Sequence, residues 1–269
     1  MKVIFLIFIS SIIFIGNFAA ASNFGVGVHS GYGVLKYEEH TSALGSKQRS
    51  DASLNTVLLG VSGEYTFTKY KNIYTGITTD FVIGTKDRET WKNNGSESQT
   101  NDISVFGQFY DLRLGYKNNI DRFFYRAYVS GGWDGIHFTR DDFHTKSKII
   151  NGKITEDFSL VRIGGGLGIG YSFGEWALDG RAAYAYYPYG RVTNSDYEGL
   201  KFDTNGTCLD LGAGIGRGIT NNIGFYVGGF YTLISLDESE VKRDGSIRVV
   251  FPDSRTELAG GVVNLTYAF

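Results

Sequence analysis

A chain of 269 residues with a formal net charge of −2 offers no positive excess to hold a polyanion, so nucleic acid is not an expected partner. Its one cysteine, Cys208, has no second thiol, which excludes an internal disulfide and a dithiol redox pair.

The first element is a leader. Lys2 supplies a positive charge, residues 3–15 are an apolar run, and Ala19, Ala20 and Ala21 supply a small-residue cleavage site. The expectation is a signal peptide over 1–21, cleaved before Ser22. An uncleaved anchor, the rival reading, needs a span of about 20 apolar residues, more than this run provides.

Residues 22–269 form one expected domain. No stretch there shows a sustained helical period or 18 consecutive apolar residues, but a period of two recurs throughout. Ten strands are predicted, at roughly 23–35, 52–68, 72–84, 102–117, 122–137, 157–173, 176–188, 204–218, 223–235 and 255–269. In the first, Phe24, Val26, Val28 and Tyr32 oppose Gly25, Gly27, His29 and Gly31. Val57, Leu59, Val61 and Tyr65 mark the second, and Ile73, Ile77, Phe81 and Ile83 the third. Leu112, Leu114 and Tyr116 mark the fourth, and Tyr125, Val129 and Trp133 the fifth.

The sixth strand, "SLVRIGGGLGIGYSF", puts Val161, Ile163, Leu167 and Ile169 on one face and glycines with Arg162 on the other. Those glycines share letters with phosphate-binding loops, but no helix follows them, so that reading is discarded. Trp176, Leu178 and Tyr184 mark the seventh strand, Leu209, Leu211 and Ile215 the eighth, and Phe225, Val227 and Tyr231 the ninth. The last strand alternates Val263, Leu265, Tyr267 and Phe269.

Connectors alternate between short turns ("TKYKN", "KNNID", "GE", "TNN") and long polar stretches at 36–51, 85–101, 138–157, 189–203 and 235–254. A greasy face opposite a small or polar one, with short turns at one end and long loops at the other, predicts an all-β fold. It is a closed antiparallel transmembrane β-barrel of about ten strands. Its short turns would be periplasmic and its long loops extracellular.

The lumen face then carries Glu64, Asp80, Asp111, Arg113, Arg126, Asp134, Arg162, Asp179, Arg181 and Asp210. Buried charge must be paired, and a barrel of this size is narrow. A packed ionic network plugging the lumen is expected; a narrow channel and a catalytic carboxylate cluster are the alternatives. Asp134 and Arg162 should pair, since opposed residues on strands five and six should have numbers summing to about 295. Cys208 falls on the lumen side as a small buried residue. The NGS and NGT triplets at Asn94 and Asn205 are given no role.

The terminal Leu265, Tyr267 and Phe269 resemble the C-terminal signature of bacterial outer-membrane proteins. That resemblance implies a cell outer-membrane location, recognition by the barrel-assembly machinery, and outer-membrane lipid and lipopolysaccharide as surroundings. The ten-strand layout is also similar to the omptins, outer-membrane proteases. The resemblance implies a water activated between a carboxylate pair in the second loop and an Asp–His pair in the fourth. "KDRETW" offers Asp87 and Glu89 in the second loop; "GRVTNSDYEGL" offers Asp196 in the fourth but no histidine. His40, His137 and His144 lie in other loops or at their rims, and His29 faces the lumen. No catalytic residue, metal or cofactor is therefore assigned. The expected function is that of a non-enzymatic surface barrel, an adhesin, receptor or envelope-structural protein. Loop aromatics such as Tyr37, Tyr189, Tyr197 and Trp91 would contact a surface ligand. An omptin-like protease or lipid-modifying enzyme is the alternative, and a narrow channel a further one.

Overall fold

The computed structural model describes residues 23–269 apart from Leu44, Lys71, Lys146 and Glu198. The leader expected at 1–21 lies outside the described residues. The strands are β1 (Phe24–Thr41), β2 (Gln48–Thr66), β3 (Ile73–Asn93), β4 (Ser96–Ile120), β5 (Phe123–Thr145) and β6 (Ile149–Phe173). After them come β7 (Trp176–Asn194), β8 (Lys201–Gly218), β9 (Ile223–Leu236), β10 (Lys242–Asp244), β11 (Ile247–Val249) and β12 (Asp253–Ala268). Ten of them close a barrel in sequence order, β12 sealing it between β9 and β1; β10 and β11 make a small hairpin in the last connection. Every pairing in the barrel is antiparallel, so no backbone edge is left open to lipid.

The alternation in sequence becomes inside and outside. Val28, Leu112, Val129, Ile163 and Ile169 stand exposed on the outer wall, while the glycines and charges beside them face inward. In β1 the apolar exterior runs from Phe24 to Val34; Lys36, Glu38 and His40 then continue the same column. At about 3.3 Å per residue and a tilt of about 40°, that apolar stretch rises about 25 Å, the height of a bilayer's hydrocarbon band.

The strands are longer than predicted. Most of the segments expected to be long loops continue the hydrogen-bonded ladder above the belt. The reason is that outer-wall side chains turn polar where lipid ends, whereas backbone pairing does not depend on lipid. The stretch 85–101 is a hairpin closed by Asn94 and Gly95, both at positive φ (49° and 84°), the conformation a two-residue turn requires. A bulge between Gly84 and Asp87 shifts the phase of β3, so that Glu89 enters the lumen.

At the seam, the Phe269 amide donates to the Phe24 carbonyl at 3.0 Å, and the Phe269 ring lies 5.5 Å from that of Phe24 and 4.8 Å from that of Tyr267. Deleting Phe269 removes this clasp. Its deletion is expected to lower the amount of heat-modifiable, folded barrel in membranes by severalfold, and removal of the exposed Gly199 is not. Equal folded amounts of the two variants would refute the clasp.

Candidate functional site

All ten lumen charges read from the sequence point inward, in tiers. Nearest the short turns, Glu64 receives Lys117 at 2.7 Å and Arg126 at 3.8 Å. Asp179 accepts the Tyr226 hydroxyl at 3.4 Å, and His29 Nε2 lies 2.7 Å from Asp80. In the next tier Asp111 pairs with Arg113 and, at 3.3 Å, with Arg162. Asp210 accepts the Thr232 hydroxyl at 2.7 Å and lies 3.7 Å from the sulfur of buried Cys208. Arg181 lines a cavity of about 100 Å³ together with Asp80, Asp210, Phe109, Leu258 and Val262.

Asp134 and Arg162 meet at 3.3 Å, but not in the expected register. Arg162 stands opposite Gly132, and Asp134 opposite Leu160, so paired numbers sum to 294. The contact is diagonal, and the long arginine spans it. Gly132, opposite Arg162, has no room for a side chain: a Cβ there would collide with the Tyr110 carbonyl oxygen. Tyr187 donates to the other side of the pair, onto Asp134 at 2.6 Å. Since each partner has a second contact, a double-mutant cycle with Asp134→Asn and Arg162→Met is expected to give a coupling of about 1–3 kcal/mol. A coupling near zero in refolded protein would show that the pair is geometric only.

The uppermost tier was not foreseen. Arg140 on β5 is buried in the centre of the barrel mouth, with three glutamates around it. Its Nε and Nη2 donate to Glu89 at 2.7 and 3.2 Å, Nη2 also donates to Glu39 at 3.1 Å, and Nη1 donates to Glu156. The carboxylates have further donors: Tyr37 to Glu39 at 2.5 Å, Asn101 to Glu89 at 2.8 Å, and Asn194 to Glu156 at 2.8 Å. The rings of Tyr37, Trp91 and Phe138 stand within 6.0 Å of the guanidinium. This one knot joins β1, β3, β4, β5, β6 and β7. Burial pushes the Glu39 carboxyl up to about 8, with Arg140 opposing the shift and Glu156 and Glu89 adding to it. Beside it, Tyr37, Phe138, Phe158 and Phe251 form a chain of ring contacts 4.4, 5.6 and 5.3 Å apart, the last ring coming from the final connection.

Several expectations are corrected by this geometry. Tyr37 is no loop contact residue, being fully buried. Glu89 is neither solvated nor partnered with Asp87; it is buried against Arg140, while Asp87 stays exposed at the bulge and accepts from the Arg88 amide. Trp91 is half-buried beside Arg140 rather than free for a ligand. Tyr189 is exposed and carries Arg191 against its ring at 5.3 Å, and Tyr197 is packed against the core. Asp196 lies exposed in a single 3₁₀ turn at the fourth loop, its amide donating to the Asn194 side-chain oxygen. His40 is exposed at the end of β1, and His144 lies 3.2 Å from Asp142. Among the described residues no three side chains of metal-ligating type converge in a way that could hold an ion.

No protein-family model matches the chain, and no curated protein matches it. Among solved structures it is similar to the outer membrane protease OmpT from Escherichia coli, with a TM-score of 0.69 and 12% identity over 92% of this chain and 97% of that one. It also aligns with the translocator domain of the autotransporter NalP from Neisseria meningitidis (TM-score 0.40, 12% identity, 93% and 89% covered), a likeness too slight to argue from. The first likeness shows the fold: a ten-stranded barrel of the outer-membrane kind.

Proposed function

We propose that this protein is an outer-membrane barrel with a closed lumen that works from its outer surface, its loops serving an adhesive, receptor or envelope-structural role. The observation that carries the reading is the Arg140 knot. The carboxylates at the mouth are engaged by an internal guanidinium, so none is left to activate a water there, and the same knot crosses the path an ion would take. Asp87 and Asp196, the remaining acids of the omptin-like pattern, have no histidine supplied by the fourth loop.

The test is direct. Refolded protein is incubated with a mixture of basic peptides and read by mass spectrometry, and is separately inserted into planar bilayers. Neither new peptide termini nor stepwise conductance is expected. Cleavage lost on Asp87→Asn or Asp196→Asn would restore the protease reading, and stable conductance the channel.

A further inference from the structure

The outer wall of β5 and β6 carries a constellation that neither the lumen nor the loops use. His137 and Thr139 are successive outward residues of β5, and Asp157 stands directly opposite His137 on β6. His137 Nδ1 lies 2.6 Å from Asp157 Oδ1, and its Nε2 lies 3.2 Å from Thr139 Oγ1. A carboxylate only accepts, so Nδ1 carries the proton; in the neutral ring Nε2 is then the acceptor, and the Thr139 hydroxyl donates to it. Acid, imidazole and hydroxyl thus stand in the order, and on the ring atoms, that activate a nucleophilic alcohol.

Its height matters as much as its geometry. Phe106, exposed on the outer wall of β4, is the register neighbour of His137, and Trp133 lies two outward positions below it. Above it the wall is polar, with Asp102 and Asp141 both paired to Lys86. The three residues therefore sit at the upper margin of the apolar belt, the depth at which lipid ester carbonyls meet water. His137 and Asp157 are both well exposed, so a substrate can reach them.

We infer that Thr139, His137 and Asp157 form an acyl-ester hydrolysing site on the outer wall, directed at ester-linked lipid of the outer leaflet. Thr139 Oγ1 attacks the ester carbonyl carbon as its proton passes to His137 Nε2. The tetrahedral adduct collapses, the carbon–alkoxide bond breaks, and the leaving alcohol takes the proton from His137. Water, giving a proton to His137, then attacks the acyl-threonine; the bond to Oγ1 breaks, Thr139 recovers its proton and the fatty acid leaves. Asp157 is a positioning residue that holds the ring and its tautomer. Ser104, opposite Thr139 in the β4 register, is a hydroxyl donor available to the oxyanion. This activity goes beyond the reading of a closed, loop-acting barrel, which stands or falls on peptide cleavage and conductance instead.

The experiment uses full-length refolded barrel in mixed micelles with a phospholipid bearing a fluorogenic acyl ester, and a fluorophosphonate probe followed by peptide mapping. Wild type is expected to release fatty acid and to carry the probe on Thr139. Thr139→Val and His137→Gln should each lower hydrolysis at least 100-fold, Asp157→Asn at least 10-fold, and Thr139→Ser should retain it. All four side-chain changes lie on the exposed wall, so heat-modifiable migration should stay as in wild type and confirms that each variant is folded. Absence of both hydrolysis and labelling in folded wild type overturns the inference. So does hydrolysis that survives Thr139→Val or His137→Gln.

Discussion

Replacing Arg140 by methionine is expected to destabilise the refolded barrel by about 3–5 kcal/mol at pH 8, because it strands buried carboxylates without their counter-charge. Glu39, Glu89 and Glu156 all depend on that guanidinium, and none is near bulk water. Lysine should rescue only in part, since a single ammonium cannot present three donor directions to three carboxylates. Neutralising the whole set, with Arg140→Met joined to Glu39→Gln, Glu89→Gln and Glu156→Gln, should recover most of the loss, as replacing an entire buried ion cluster is milder than breaking it. The measurement is the urea midpoint read from heat-modifiable migration. A single Arg140→Met variant within about 1 kcal/mol of wild type would mean that the knot is hydrated and weak.

Stability should fall as pH rises from about 4.5 to about 8, and the Glu39→Gln variant should lose that component. Glu39 lies above the apolar belt, on β1 between the outward residues Glu38 and His40, and burial holds its folded carboxyl up at about 8. In the unfolded chain it releases its proton near 4.5, so between the two values the unfolded state binds fewer protons and rising pH favours it. Below the window the contribution is fully present; above it the difference is constant. The span corresponds to an effect on the order of 5 kcal/mol. Wild type and Glu39→Gln should therefore differ little at pH 4.5 and diverge by pH 8.5, the glutamine variant being the more stable there. Parallel pH profiles for the two proteins would show that Glu39 keeps its charge inside the knot.

Much of the barrel was legible because a lipid-facing strand has a strict rule: every second side chain must be apolar. Val161, Ile163, Leu167 and Ile169 against Arg162 and the glycines could satisfy that rule in only one orientation, and a slip of one residue would reverse it. The ten inward charges followed from the same phase. The rule lapses where lipid ends. Above Val34 on β1 and Ile83 on β3 both faces carry polar residues, so Glu39 and Glu89 fell within the long polar stretches at 36–51 and 85–101, and only the bulge after Gly84 gives Glu89 its inward direction. The Asn94–Gly95 turn was the one local signal that β3 and β4 continue upward.

By itself, then, the sequence determined the number of barrel strands, the lipid-facing surface and ten of the charges in the lumen at the level of the belt, since these follow from the alternation of neighbours one or two residues away. Only the tertiary structure decided which charges meet. Arg140 and Glu39 are 101 residues apart, and their contact depends on where the closed ring of strands places each above the belt. The His137–Asp157 pair likewise depends on the register of β5 against β6, which the length of a connector constrains only to within a residue or two. Local periodicity sets the direction of a side chain, but the partner at the end of it is set by ring closure and register, which are properties of the whole chain.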